Sequence, residues 1–140
     1  MANASLLNSG GNFLVINKNF MAKSVLICED EKAISKTMQL KLQKSGFEVE
    51  QAFNGEEALA ILEKKDTFDI ILLDLLMPKV DGFGVLEELK KRGNKIKIVV
   101  TSNLSQDEDR KRAAELGAIG YLVKADTPIS KIIDYVVKNT

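Results

Sequence analysis

Five residues stand where chemistry could gather, each at the end of an apolar run. Glu29 and Asp30 follow Ser24-Val25-Leu26-Ile27-Cys28, Asp74 follows Asp69-Ile70-Ile71-Leu72-Leu73, and Lys124 follows Ile119 to Val123. Thr101 ends a further run, Ile96-Lys97-Ile98-Val99-Val100. A single acid in such a place is ordinarily a helix cap or a loop charge, and Asp30 could cap a helix starting near Glu31. Three carboxylates brought together are different. Uncompensated, they repel one another, raise their pKa values and destabilise the fold. A hard divalent cation relieves that conflict. Magnesium takes oxygen ligands, keeps several waters, and commonly combines one or two carboxylates with phosphate oxygen. An acidic pocket facing one lysine therefore suits phosphoryl chemistry with a metal.

Such a pocket exists only if the apolar runs are strands that end together. From position 21 two periods alternate along the chain. After the first run, Ile34, Met38 and Leu42 recur every fourth residue until Gly46, and Phe47 to Ala52 then alternates with period two. Asn54-Gly55 turns the chain into a helical pattern from Glu56 to Lys65, with Ala58, Leu59 and Leu62 on one side. The run at 69–73 is continuously apolar, as in a strand covered on both faces. Helices are predicted from Phe83 to Lys91, with Gly93 near the stop, and from Ser105 to Leu116, ending at Gly117. The last helix takes Thr127 as N-cap and Pro128 as its first residue, with Ile129, Ile132, Ile133, Val136 and Val137 on its apolar face. Five strand-then-helix units predict an α/β fold, a five-stranded parallel sheet doubly wound by helices on both faces. In such sheets ligands bind beyond the carboxyl ends of the strands, where these acids fall.

Composition removes many alternatives. At 140 residues the chain holds one domain with one sizeable core. Twenty basic and twenty acidic residues cancel, which leaves no electrostatic footprint for nucleic acid or an anionic membrane. With no histidine, every histidine-based mechanism and every His-ligated metal site is excluded. The single cysteine, Cys28, forms no internal disulfide and reads as a buried, inert thiol in a reducing, cytoplasmic compartment. No apolar run approaches the roughly 18 residues that span a bilayer. Residues 1–20 differ from the 21–140 domain, with one charge (Lys18) and the flexible Asn8-Ser9-Gly10-Gly11-Asn12 stretch. They read as a leader or upstream translated segment, and the Phe13-Leu14-Val15-Ile16 run is too short for the ~7–15-residue core of a signal peptide. That run could pair with a sheet edge or a neighbouring chain.

The first strand–helix turn discriminates among sheet enzymes. It reads Cys28-Glu29-Asp30-Glu31, with three negative charges and no glycine, where nucleotide-binding folds place a glycine-rich phosphate loop. A dinucleotide dehydrogenase or P-loop enzyme is excluded. Haloacid dehalogenase-like phosphatases carry a second acid two residues after the nucleophile, and here Leu76 takes that place after Asp74.

Glu29-Asp30, Asp74-x-x-Met77-Pro78-x-x-Asp81-Gly82, Thr101-Ser102 and Gly120-Tyr121-x-x-Lys124 resemble the receiver domain of two-component response regulators. Gly46, Asn54-Gly55 with Glu57-Ala58-Leu59, and Gly117-Ala118 fit the same pattern, so the resemblance covers essentially all of 21–140. It implies the flavodoxin-like strand order 2-1-3-4-5. It implies that Asp74 is the phosphoacceptor, a nucleophile toward the phosphohistidine of a sensor histidine kinase or phosphotransfer protein. Asp30, Asp74 and the backbone carbonyl of Leu76 would hold Mg²⁺, with Glu29 acting through bound water, and Lys124 would pair with phosphoryl oxygens. Thr101 and Tyr121 would form the switch, and Asp81 the N-cap of the third helix. Such a domain assists only its own phosphorylation and dephosphorylation and is no enzyme in the turnover sense.

Three departures from the family pattern carry expectations. Ala125 follows Lys124 where most receivers have proline, so a trans bond is expected there. Leu76 and Asn103 flank the path of attacking water in the family, and a bulky apolar Leu76 implies a long-lived phosphoryl group. The last helix lacks the arginine-bearing pattern of regulators that dimerise through it; its exposed Ser130, Lys131 and Asp134 imply a monomer or weak dimer. With the chain ending at Thr140, the expectation is a stand-alone receiver without direct nucleic-acid or membrane contact, signalling to a protein target through the face of helix 4, strand 5 and helix 5. The alternative is a pseudo-receiver, a phosphorylation-independent interaction module.

Overall fold

The computed structural model describes residues 22–140, together with the backbone of two short strands, β1 (Asn3–Leu7) and β2 (Phe13–Asn17). These two pair antiparallel, Asn3 opposite Asn17 and Leu7 opposite Phe13. The expectation that Phe13–Ile16 joins the edge of the main sheet is thereby corrected. Only the five residues 8–12 separate the strands in sequence, so this partner is reached at the least loop-closure cost. The remainder of the 1–20 segment, and Met21, lie outside the described residues.

The domain runs β3 (Ser24–Cys28), α1 (Lys32–Lys44), β4 (Glu48–Ala52), α2 (Gly55–Lys64), β5 (Ile70–Leu73), α3 (Gly82–Lys91), β6 (Lys97–Ser102), α4 (Asp107–Glu115), β7 (Gly120–Val123) and α5 (Ile129–Lys138). All five strands are parallel, in the order β4-β3-β5-β6-β7. Counted from β3, that is the flavodoxin-like order 2-1-3-4-5. The crevice rule then points to the ends of β3 and β5.

Alternation along each strand divides the core in two. Val25, Ile27, Ile70, Leu72 and Val99 pack with Met38 and Leu42 of α1 and with Ile132, Ile133 and Val136 of α5. Leu26, Cys28, Ile71, Leu73, Ile98 and Val100 face Ala58 and Leu62 of α2, Val85, Leu86 and Leu89 of α3, and Ala113 of α4. Both faces are covered, which is why these strands read as unbroken apolar runs. Ala113 is the one buried residue of α4.

Helix ends follow local chemistry. Asn54 Oδ1 accepts from Glu57 N–H at 2.9 Å, while Glu57 Oε1 accepts from Phe53 N–H at 3.1 Å, a reciprocal cap that starts α2 at Gly55. Asp81 caps α3 as expected, its Oδ1 accepting from Gly84 N–H at 2.8 Å. The expected start of α5 is corrected by one residue. A single 3₁₀ turn occupies Lys124–Asp126, and Pro128, with ψ 149°, is itself the N-cap, its carbonyl accepting from Lys131 and Ile132. Helix α4 likewise begins at Asp107 and not Ser105. No helix among the described residues is long and apolar enough to cross a membrane.

Candidate functional site

The pairing of β3 with β5 sets Cys28 opposite Leu73, so the residues that follow leave the sheet side by side. Glu29, Asp30 and Asp74 each present one carboxylate oxygen within 4.8 Å of the others. Glu29 is fully buried and Asp74 is 3 % exposed, whereas Asp30 is exposed at the mouth. Asp30 does not cap α1: Glu31 occupies the cap position, and its N–H bonds Glu29 Oε2 at 3.1 Å. Asp74 Oδ1 accepts from Leu76 N–H at 3.1 Å. The Leu76 side chain is 54 % exposed beside the site.

Lys124 arrives from β7, at the far edge of the sheet, and its ammonium lies between the two buried acids. It donates to Asp74 Oδ2 at 2.9 Å and to Glu29 Oε1 in a short contact. Burial pushes Glu29 up to about 7, with Lys124 and the Glu31 N–H opposing and the charge of Asp74 reinforcing the rise. Burial also pulls on Lys124, downward, but its bonds to Glu29 and Asp74 outweigh that pull and leave its pKa above the ordinary lysine value. One ammonium thus serves a pocket that gathers three acids. The surplus negative charge and the all-oxygen donor set fit a hard divalent cation such as magnesium.

Thr101 is buried one residue beyond the Leu73–Val100 pair, as Asp74 is on its own strand. With Lys124, Ile34 and Met38 it lines a small cavity of about 90 Å³. Tyr121 packs on the α3–α4 side of the sheet, and its hydroxyl donates to the Leu104 carbonyl at 2.7 Å. Burial is the main cause that raises its pKa. The phenol is therefore not a surface hydroxyl but a bridge to the loop after β6. Cys28 is buried, and burial pushes its thiol well above the ordinary range, which keeps it inert. No cis peptide bond occurs among the described residues, so Lys124–Ala125 is trans.

Two features escaped the sequence. Gly82 and Gly55 are close-approach positions, not merely turn residues: a Cβ on Gly82 would lie 2.4 Å from the Asp74 carbonyl oxygen, and one on Gly55 2.0 Å from that of Val80. Ser102 is buried, with Oγ accepting from Leu104 N–H at 3.2 Å, so it braces the loop that Tyr121 reads. Neither has a local signal, because each contact joins segments distant in sequence or set by the loop's path. A groove of about 1000 Å³ lies among Leu62, Phe68, Arg92 and Asn94. It opens at the other end of the sheet, away from Glu29, Asp74 and Lys124, and its charged lining, Glu63, Asp66, Glu88 and Arg92 among it, is at the surface.

Comparison with known proteins agrees with this geometry. The response regulator receiver domain profile matches residues 25–136. The chain is 39% identical over 106 residues to the probable transcriptional regulator ycf27 of Porphyridium aerugineum, covering 76% of this chain and 43% of that protein. It is 34% identical over 108 residues to the alkaline phosphatase synthesis transcriptional regulatory protein PhoP of Bacillus subtilis, covering 77% of this chain and 45% of that one. The chain therefore spans less than half the length of these curated relatives. Among solved structures, the Francisella response regulator 1452 receiver domain superposes with a TM-score of 0.76 at 29% identity, over 84% of this chain and 95% of that one. Vibrio cholerae chemotaxis protein CheY4 gives 0.77 at 27% identity, over 85% and 99%. Matched by that profile over most of its length and carrying a sheet of this order, the chain belongs to the response regulator receiver domain family of two-component signalling.

Proposed function

We propose that this receiver accepts a phosphoryl group on Asp74 from the phosphohistidine of a sensor histidine kinase or phosphotransfer protein, in a magnesium-dependent reaction. The observation that carries this reading is the joint placement of Glu29, Asp30, Asp74 and Lys124 at one strand crevice. Asp30, Asp74 and the Leu76 carbonyl would hold the ion, with Glu29 acting through bound water. When bound, magnesium supplies neutralisation of the charge on the phosphoryl oxygens.

The chain's own residues do the rest. The Asp74 carboxylate attacks phosphorus, an O–P bond forms as the P–N bond breaks, and the imidazole nitrogen leaves with the electron pair and takes up a proton. A loose transition state needs positioning and charge balance more than covalent help. The Leu76 N–H holds Asp74 in place, and the Lys124 ammonium can pass from the carboxylate to a phosphoryl oxygen. The Thr101 hydroxyl then donates to another phosphoryl oxygen and draws the loop after β6 inward, where Tyr121 is bonded. A coupling of about 1–3 kcal/mol is enough to repopulate two pre-existing states.

The domain turns over no external substrate. It works in the cytoplasm as a monomer or weak dimer and reaches a protein target through the α4–β7–α5 face. Its balanced charge supports contact with protein and not with nucleic acid. A phosphorylation-independent module would have no use for an acid pocket with a matched amine, and no observation favours it. Incubation with acetyl phosphate and magnesium should add one phosphoryl group per chain by intact mass, and excess EDTA should abolish the addition. Unchanged labelling in EDTA would contradict the metal's part, and no labelling with magnesium would contradict the phosphoacceptor reading.

The exposed Leu76 carries a further prediction. Its apolar side chain cannot orient an attacking water, so Leu76→Asn should speed loss of the phosphoryl group by roughly tenfold, below the roughly 10²–10⁴-fold of full general acid–base help because an amide orients a water without taking its proton. Equal decay rates in the two proteins, followed by mass, would refute that.

A further inference from the structure

Helix α4 is attached in an unusual manner. Its nine residues include seven with charged side chains, and Ala113 alone is buried. In place of an apolar stripe, cations hold it. Arg112 reaches Glu87 of α3 at 2.8 Å and covers the Phe83 ring at 4.1 Å, and Lys90 of α3 donates to the Glu115 carbonyl at 2.8 Å. These contacts fasten α4 to α3. On the other side, the Arg110 guanidinium lies 5.2 Å from the centroid of the Tyr121 ring, whose hydroxyl bonds Leu104 in the loop that leads into α4.

We propose that Arg110 couples the ring of Tyr121 to α4. It covers the face of the aromatic and, with the Leu104 bond, keeps the phenol in the position described. A change in the ring's position is thereby transmitted to α4 through the guanidinium as well as through the loop. Arg110 is a positioning residue and touches no reacting atom. The inference deepens the switch reading given above, and it rests on that reading for its link to phosphorylation. The contact itself does not depend on it.

A cation–ring contact at a partly exposed site corresponds to about a 2–5-fold change in an equilibrium. Amide hydrogen exchange across Asp107–Glu115 should accelerate by about that factor in Arg110→Met and by at least that factor in Tyr121→Leu, which also loses the Leu104 bond; both keep apolar bulk. The double variant should exchange no faster than the faster single one, because both remove the same contact. Arg110→Lys, which retains the cation, should recover at least half of the effect on a logarithmic scale. Additive effects, or no effect of Arg110→Met, would overturn the proposal. Reciprocity further requires that Arg110→Met alter beryllofluoride affinity in the presence of magnesium by a comparable factor, with unchanged affinity counting against the coupling. Should the wild type bind no beryllofluoride, the phosphoacceptor reading fails while the exchange cycle still decides the role of Arg110. Far-UV circular dichroism of each variant confirms that α4 is compared within folded proteins.

Discussion

Lys124→Met should destabilise the metal-free protein by about 3–5 kcal/mol, the cost of leaving buried charge without its partner. The lysine side chain is 13% exposed, and the side chains of the acids it serves, Glu29 and Asp74, are buried, so water cannot take over its role cheaply. Methionine fills most of the volume, which separates the loss of charge from the loss of packing. The control is Asp74→Asn, which removes one of the repelling acids while keeping shape. It should cost much less, because Lys124 then still has Glu29. Magnesium should restore part of the stability of Lys124→Met, since the ion binds only the folded pocket and brings opposite charge to the same oxygens. Urea denaturation in EDTA and in magnesium measures all of this. Equal stabilities of Lys124→Met and wild type in EDTA would refute the electrostatic account of the pocket.

Gly82→Ala should damage fold and chemistry together. Its new Cβ would lie 2.4 Å from the Asp74 carbonyl oxygen and 2.6 Å from the Leu75 Cα. Both are backbone atoms at the phosphoacceptor, so no side-chain rotation relieves the clash. Overpacking of this kind costs about 1–3 kcal/mol, occasionally more. The segment that must yield carries Asp74, and misplacing a reacting group by about 1 Å can cost roughly a hundredfold in rate. Gly84→Ala, two residues on, is the natural comparison. There the nearest atom is the Val80 Cγ1 at 2.8 Å, the tip of a side chain, and alanine brings about 0.8–1.0 kcal/mol of helix propensity. Its stability and phosphorylation rate should stay close to wild type. A Gly82→Ala protein with wild-type stability and acetyl phosphate labelling rate would show that the close approach is unimportant.

The contrast between these two glycines marks where sequence reading succeeds and where it stops. The apolar runs of β3, β5 and β6 were legible because both faces of the sheet are covered there, so no polar residue interrupts Ile70 to Leu73 or Ile98 to Val100, whereas β4 at the edge showed only alternation. The acids were legible for the same reason: Glu29, Asp30 and Asp74 are the first charges after those runs, and parallel pairing carries them to one end. The strand order came from resemblance to receivers, since periodicity alone places no strand beside another. Thr127 was misread as the cap of α5 because threonine before proline is a strong local signal, yet the 3₁₀ turn after Lys124 moves the start to Ile129. The Arg110–Tyr121 and Gly82–Asp74 contacts had no such signal at all. They depend on how a loop returns to the sheet, which no residue type or spacing encodes.

On the proposed reading Asp74, and no other carboxylate, carries the phosphoryl group in a pocket that magnesium completes. The most direct measurement is borohydride reduction of protein treated with acetyl phosphate and magnesium, followed by peptide mass mapping, on wild type and Asp74→Asn side by side. The predicted result is one reduced site at Asp74 in the wild type and none in the variant. Labelling that persists in Asp74→Asn, or that maps to Asp30 or another acid in the wild type, would contradict the account.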